Sequence, residues 1–183
     1  MDNQKTKNNS AALYNYSAAD FNLELLEKIS LQDLTFLINN SKDERAEFRA
    51  AWALEHILLK NKELLIQQKN EIIQIFLNTK NWSVQRSISK IIMDLLKNPT
   101  KYLFDLDEEL KGLLLDKSFK ILEDKECPIA VRCNVYDIVF LAGKEEKWVL
   151  SELKTQIYFD LEKSSTPALL SRGGKLLKRI SKA

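Results

Sequence analysis

A chain of 183 residues that is 45% hydrophobic and 30% charged, with only four Gly, three Pro and two Cys, holds enough apolar material for a core without a disulfide or metal framework. Gly and Pro this sparse exclude a many-turned β-sandwich or barrel and a doubly wound fold with Gly-rich loops, leaving an all-α chain. The net charge of +2 conceals an asymmetry: from Ser164 on there are five cations and no acid, leaving −3 for the residues before them.

In chain order, residues 1–18 read as a flexible leader, with Leu13, Tyr14 and Tyr16 available to pack its end onto the body. Met1 to Ser10 has no apolar stretch or small-residue cleavage site, so no secretory signal is read. No apolar run approaches the ~18 residues of a membrane span. From there on, apolar residues recur at three- and four-residue spacings, which predicts helices near 20–29, 31–39, 43–60, 63–79, 83–97, 106–123, 128–142, 147–162 and 167–181. Ser30 and Ser41 are expected N-caps, Pro128 and Pro167 fit first helical turns, Asn98-Pro99 ends a helix, and Gly143 is a helix stop. No Gly/Ser/Pro linker divides residues 19–183, which are expected to form a single domain.

Every second helix carries an Arg early: Arg49, Arg86, Arg132 and Arg172, at spacings of 37, 46 and 40 residues. Each is preceded by an amphipathic helix (31–39, 63–79, 106–123, 148–162). Two-helix units of about 40–47 residues characterise helical solenoids, in which each unit needs neighbours to cover its apolar face. Phe48-Arg49-Ala50-Ala51-Trp52-Ala53-Leu54 and Cys127-Pro128-Ile129-Ala130-Val131-Arg132 resemble the HEAT/armadillo pattern, in which the second helix opens on hydrophobic-Arg and continues with small residues. The resemblance covers residues 31–183 and implies a right-handed α-α superhelix, a HEAT/ARM-like solenoid of about four helix pairs. Gln85 before Arg86 and Gly173-Gly174 after Arg172 depart from it. Small HEAT-like chains of this look, often bacterial, are sometimes labelled adenylosuccinate lyase. The signature loop of that enzyme, Ser-Ser-x-Met-Pro-x-Lys-x-Asn, is absent, since Ser164-Ser165-Thr166-Pro167 lacks its Met, Lys and Asn.

On helical wheels, the first inner helix leaves Arg49, His56 and Lys60 opposite its apolar face. The second leaves Arg86, Lys90, Asp94 and Lys97, and the last Arg172, Lys175, Arg179 and Lys182. In the third, Arg132 and Tyr136 share that side with Val139 and Phe140. The candidate binding groove is therefore Arg49, His56, Arg86, Lys90, Arg132, Tyr136, Arg172, Lys175 and Arg179, suited to phosphates or to an acidic segment of a partner. The other reading makes the repeated Arg structural, bonded to loop carbonyls or a neighbouring acid, with Lys as ordinary wet surface.

His56 is the sole histidine and has no second ligand or nucleophile in view. Cys127 at a helix start has either a dipole-activated thiol or a packed one. The spacing of Cys127 and Cys133 fits neither a redox nor a zinc motif and suits a cytoplasmic protein. Trp52, Trp82 and Trp148 read as packing residues, and Asp105, Asp107, Glu108 and Glu109 suit a helix start. No phosphate loop, dinucleotide fingerprint, nucleophile elbow or zinc-protease motif occurs, so neither an enzyme nor a cofactor or metal is expected. The expected function is a non-enzymatic scaffold or adaptor, monomer or weak dimer, holding a protein or peptide. The alternative is a nucleic-acid binder related to DNA alkylation repair glycosylases, a resemblance that implies an Asp (Asp94 or Asp137) working near aromatic Tyr136 or Trp52.

Overall fold

The computed structural model describes residues 3–164 and 166–182, and among them it is all-α, with no strand. The helices are α1 (Asn3–Tyr14), α2 (Leu31–Asn40), α3 (Glu44–Lys60), α4 (Lys62–Asn78), α5 (Trp82–Lys97), the single turn α6 (Pro99–Tyr102), α7 (Glu108–Glu123), α8 (Ile129–Gly143), α9 (Lys147–Lys163) and α10 (Pro167–Ile180). They form two compact units, Met1–Ile91 and Ile92–Ala183.

Local chemistry explains most of the boundaries. Ser30 caps α2 in a capping box with Asp33, as expected. The cap of α3 is Asp43 rather than Ser41: its carboxylate accepts the amides of Arg45 and Ala46, while the Ser41 hydroxyl accepts the Asp43 amide one step earlier. Asn81 and Asp107 cap α5 and α7 in the same way. The helix expected over 20–29 is two three-ten turns, Ala18–Asp20 and Leu23–Glu27, because Asn22 turns its side chain onto the Glu24 amide and restarts the chain there.

In the first unit, α1 is helical where the sequence reading expected a loose leader. It packs on α2 and α3, with Leu13 fully buried and Lys5 3.0 Å from Asp33 of α2. The alanines of α3 (Ala46, Ala50, Ala51, Ala53) are all buried and let neighbouring helices approach closely, around Leu34, Leu37, Leu54, Ile57, Leu65 and Phe76. Trp52 stacks on Phe48 and takes the edge of Phe21.

In the second unit, α8 is the central helix, packed against α7, α9 and α10. Twelve of its fifteen residues are buried, so it has no polar flank. Gly143 ends it, as expected. A Cβ there would overlap the Val149 side chain, so this glycine is set by the close approach of α9.

Candidate functional site

In the first unit, the residues of the expected groove are held by different partners. Arg49 reaches back from α3 to the end of α1: its Nε and Nη2 donate to the Leu13 carbonyl at 3.0 and 2.7 Å, and Nη2 also donates to the Tyr16 carbonyl. Its guanidinium lies against the rings of Phe21 and Trp52. Burial, with Arg45 nearby, pulls its pKa below the ordinary arginine value. His56 is half-buried with its ring against Phe21 and Trp52, a packing role. Lys90 of α5 places Nζ 2.6 Å from Oε1 of Glu55, a buried acid on α3. Arg86, one turn earlier on α5, is exposed.

In the second unit, the two residues expected on a groove surface from α8 lie in the interior: Tyr136 is fully buried and Arg132 nearly so, because α8 has a neighbour on every side. Arg132 Nη1 donates to the Leu122 carbonyl at 2.7 Å and to the Asp160 carboxylate at 2.9 and 3.1 Å; Nη2 donates to the Asp124 carbonyl at 2.8 Å. The Tyr136 hydroxyl and Gln156 amide also donate to Asp160. Burial and that carboxylate push the Tyr136 phenol well above its ordinary pKa. The network fastens the α7–α8 loop to α9, with both terminal nitrogens of Arg132 and the Tyr136 hydroxyl donating to internal acceptors.

On α10, Arg172 Nη1 stands 3.0 Å from Oδ2 of Asp137, and Arg179 Nη1 3.8 Å from Oδ1. Arg179 also lies over the Phe140 ring at 4.1 Å, and Lys175 is exposed. Asp137 is 2% exposed, and its Oδ2 has an ion-pair partner but no hydrogen bond of good geometry. The important residues missing from the expected site are thus the acids Glu55, Asp137 and Asp160. A signal for Asp137 existed: one acid inside the apolar run Val135–Phe140 requires a buried countercharge.

Asp137 also gives a pH test. Burial raises its carboxyl above the usual range, with Arg172, Lys97 and Arg179 pulling it back. The folded chain therefore keeps this proton to higher pH than the unfolded chain. Ionisation above the folded pKa subtracts stability, and that loss is relieved as pH falls through the folded value toward the unfolded one, about 3.9. Urea unfolding between neutral pH and pH ~4 should show wild type gaining on Asp137→Asn as pH falls. Parallel curves for the two proteins would contradict this.

The thiols are packed, not activated. Burial pushes Cys127 up to about 11, against a smaller opposite pull from Arg132, and burial also raises Cys133. At pH ~8 Cys127 should react with an aromatic disulfide reagent about 100-fold more slowly in the folded protein than in denaturant, and Cys133 should be slowed in the same direction. Fast native labelling of either would refute this burial.

Asp94 and Asp137, the acids nearest in kind to a glycosylase Asp, are both engaged: Asp94 accepts from Tyr102 and Asn98, and Asp137 faces the α10 cations. A cleft of about 290 Å³ beside Arg132 is lined by Glu123, Lys125, Cys127, Phe159, Lys163 and Ser164, and the Arg132 and Asp160 on its wall are bonded to each other. Among the described residues, no group of three or more His, Cys, Asp or Glu is arranged to hold a metal. No described helix is long and apolar enough to cross a membrane.

A family model for the HEAT repeat domain matches residues 21–180. The chain belongs to the HEAT repeat family. Within the matched residues, consecutive helices pack on each other as α2 with α3, α7 with α8, and α9 with α10. The chain is thus an all-α helical-repeat scaffold, of a family whose repeats generally mediate protein interactions and are typically non-catalytic. No curated protein and no solved structure matches it. In this HEAT framework the repeated Arg has a visible structural use: Arg49 reaches back to carbonyls at the end of α1, and Arg132 to carbonyls at the end of α7 and in the loop before its own helix.

Proposed function

We propose that this HEAT-repeat chain is a non-enzymatic scaffold or adaptor, cytoplasmic and monomeric or weakly dimeric, that binds a protein or peptide partner. The observation that carries this reading is how the polar groups are used. Arg132, Tyr136, Asp160, Asp137 and both thiols are buried, and the first three are bonded to one another, so they are not presented to a substrate. The inner helices present exposed cations, among them Arg86, Lys175 and Arg179. The same pattern speaks against phosphate tracking, because Arg49, Lys90 and Arg132 already hold internal acceptors. In this reading residues 19–183 act as one domain.

Selection of displayed peptides on the full chain, followed by calorimetric titration, tests the proposal against single-stranded and duplex oligonucleotides at low salt. Peptides are expected to bind and oligonucleotides are not. Oligonucleotide binding with a steep salt dependence and no selected peptide would replace the scaffold with a nucleic-acid binder.

A further inference from the structure

The arginines of the second unit differ in how far their donors are used. Arg132 is 8% exposed and spends its guanidinium on two carbonyls and a carboxylate. Arg172 and Arg179 keep side-chain exposures of 39% and 48%. Their shared acid, Asp137, accepts a well-formed hydrogen bond at Oδ2 from neither, and Arg179 approaches no nearer than 3.8 Å. A guanidinium carries five N–H donors in a planar fork made for carboxylates, and in each of these two arginines only Nη1 is placed against Asp137. Two cations, Arg172 and Arg179, thus share one buried carboxylate. That leaves one positive charge uncompensated, and exposed Lys175 adds a second from the same side of α10.

Arg172, Lys175 and Arg179 follow at i, i+3 and i+7, a stripe of about 10 Å along the helix. No acid on α10 interrupts it. Phe140, under Arg179, holds that guanidinium in place. From this cluster we infer that the α10 face formed by Arg172, Lys175 and Arg179 docks an acidic segment of a protein partner, its Asp or Glu carboxylates pairing with the arginine forks. The inference rests on the protein-binding reading above and names the chemistry of the partner. Charge complementarity selects the occupant: a two-turn stripe matches two or three carboxylates on a short peptide, whereas a nucleic acid requires cations along many successive phosphates.

The test uses the full chain and a labelled, Glu-rich peptide of about 12 residues, long enough to cover the stripe, titrated by fluorescence anisotropy. A thymidine oligonucleotide of matching length and a neutral peptide run beside it. Lys175→Glu/Arg179→Gln is expected to weaken the acidic peptide at least about tenfold, by loss of paired charges. Lys147→Glu/Lys154→Glu on α9 changes the net charge further but is expected to leave affinity within about twofold. Because Arg179 touches Asp137, Lys175→Glu alone, at an exposed position, provides a variant whose fold is not at risk, with a smaller loss in the same direction. Equal weakening by the α9 variant, tighter binding of the oligonucleotide, or no binding of the acidic peptide would each overturn the acidic-segment inference. If neutral peptides selected on the chain still bind, unaffected by Lys175→Glu/Arg179→Gln, the scaffold reading survives that failure. If no peptide of any kind binds, both fall.

Discussion

Replacing Arg132 by alanine is expected to destabilise the protein by about 3–5 kcal/mol, the cost of leaving a buried charge without its partner. Asp160 is 7% exposed and cannot recover water in exchange for the two bonds it loses; in the same step the Asp124 carbonyl loses its Arg132 donor and the Leu122 carbonyl keeps only the 3.5 Å bond from Gln156. Lysine should not restore the wild-type level, because its point charge cannot span the carboxylate and both carbonyls as a planar fork does. Tyr136→Phe removes one donor of several and should cost only about 1–2 kcal/mol. Urea unfolding of Arg132→Ala, Asp160→Ala and the double variant provides the check. Because both single variants break one network, the double loss should fall well short of the sum of the singles. A loss under about 1 kcal/mol for Arg132→Ala would mean that the network contributes no more than a surface ion pair.

The same network shows why the fold was legible in the sequence and the site was not. A two-helix period and the Arg near the start of each inner helix are one-dimensional signals, and they led to the helical repeat and to most helix spans, which the HEAT family match supports. A helical wheel, however, treats each helix as though one side faced water. α8 packs on three helices, so Arg132 and Tyr136 occupied a polar side on paper that is interior in the fold. Asp160 lies on another helix, and nothing local in the sequence joins it to Arg132 across twenty-eight residues. The helix over Asn3–Tyr14 was missed for a related reason: its end is held by Arg49, thirty-six residues from Leu13, rather than by its own apolar pattern. Ser41 was read as a cap because its residue type fits, whereas Asp43, two residues on, has the carboxylate correctly placed for the first amides of α3. Of the two readings of the repeated Arg, bonding to carbonyls describes Arg49 and Arg132, while Arg172 keeps part of its guanidinium at the surface.

Gly143→Ala is expected to cost at least about 1–3 kcal/mol, the range for overpacking a well-filled core. At an unconstrained helical position the same exchange gains about 0.5–1 kcal/mol through lower backbone entropy in the unfolded chain. At Gly143 the new Cβ would overlap Val149 Cγ1 and sit 2.8 Å from Val149 Cβ. Val149 is fully buried and β-branched, so a rotamer change does not clear the space. Nor can the backbone readily yield: only Lys144, Glu145 and Glu146 separate α8 from α9, and the Glu146 amide donates to the Gly143 carbonyl at 2.9 Å. Gly112 on α7, where a Cβ meets nothing within 4 Å, provides the opposite sign, and Gly112→Ala should stabilise by about 0.5–1 kcal/mol. Val149→Ala should cost about 2 kcal/mol alone through lost apolar burial. Combined with Gly143→Ala it should cost about 1 kcal/mol or more less than the sum, because each change makes room for the other. Thermal unfolding of the four proteins decides the matter: Gly143→Ala at or above wild-type stability, or strict additivity with Val149→Ala, would mean that α8 and α9 are free to move apart at this joint.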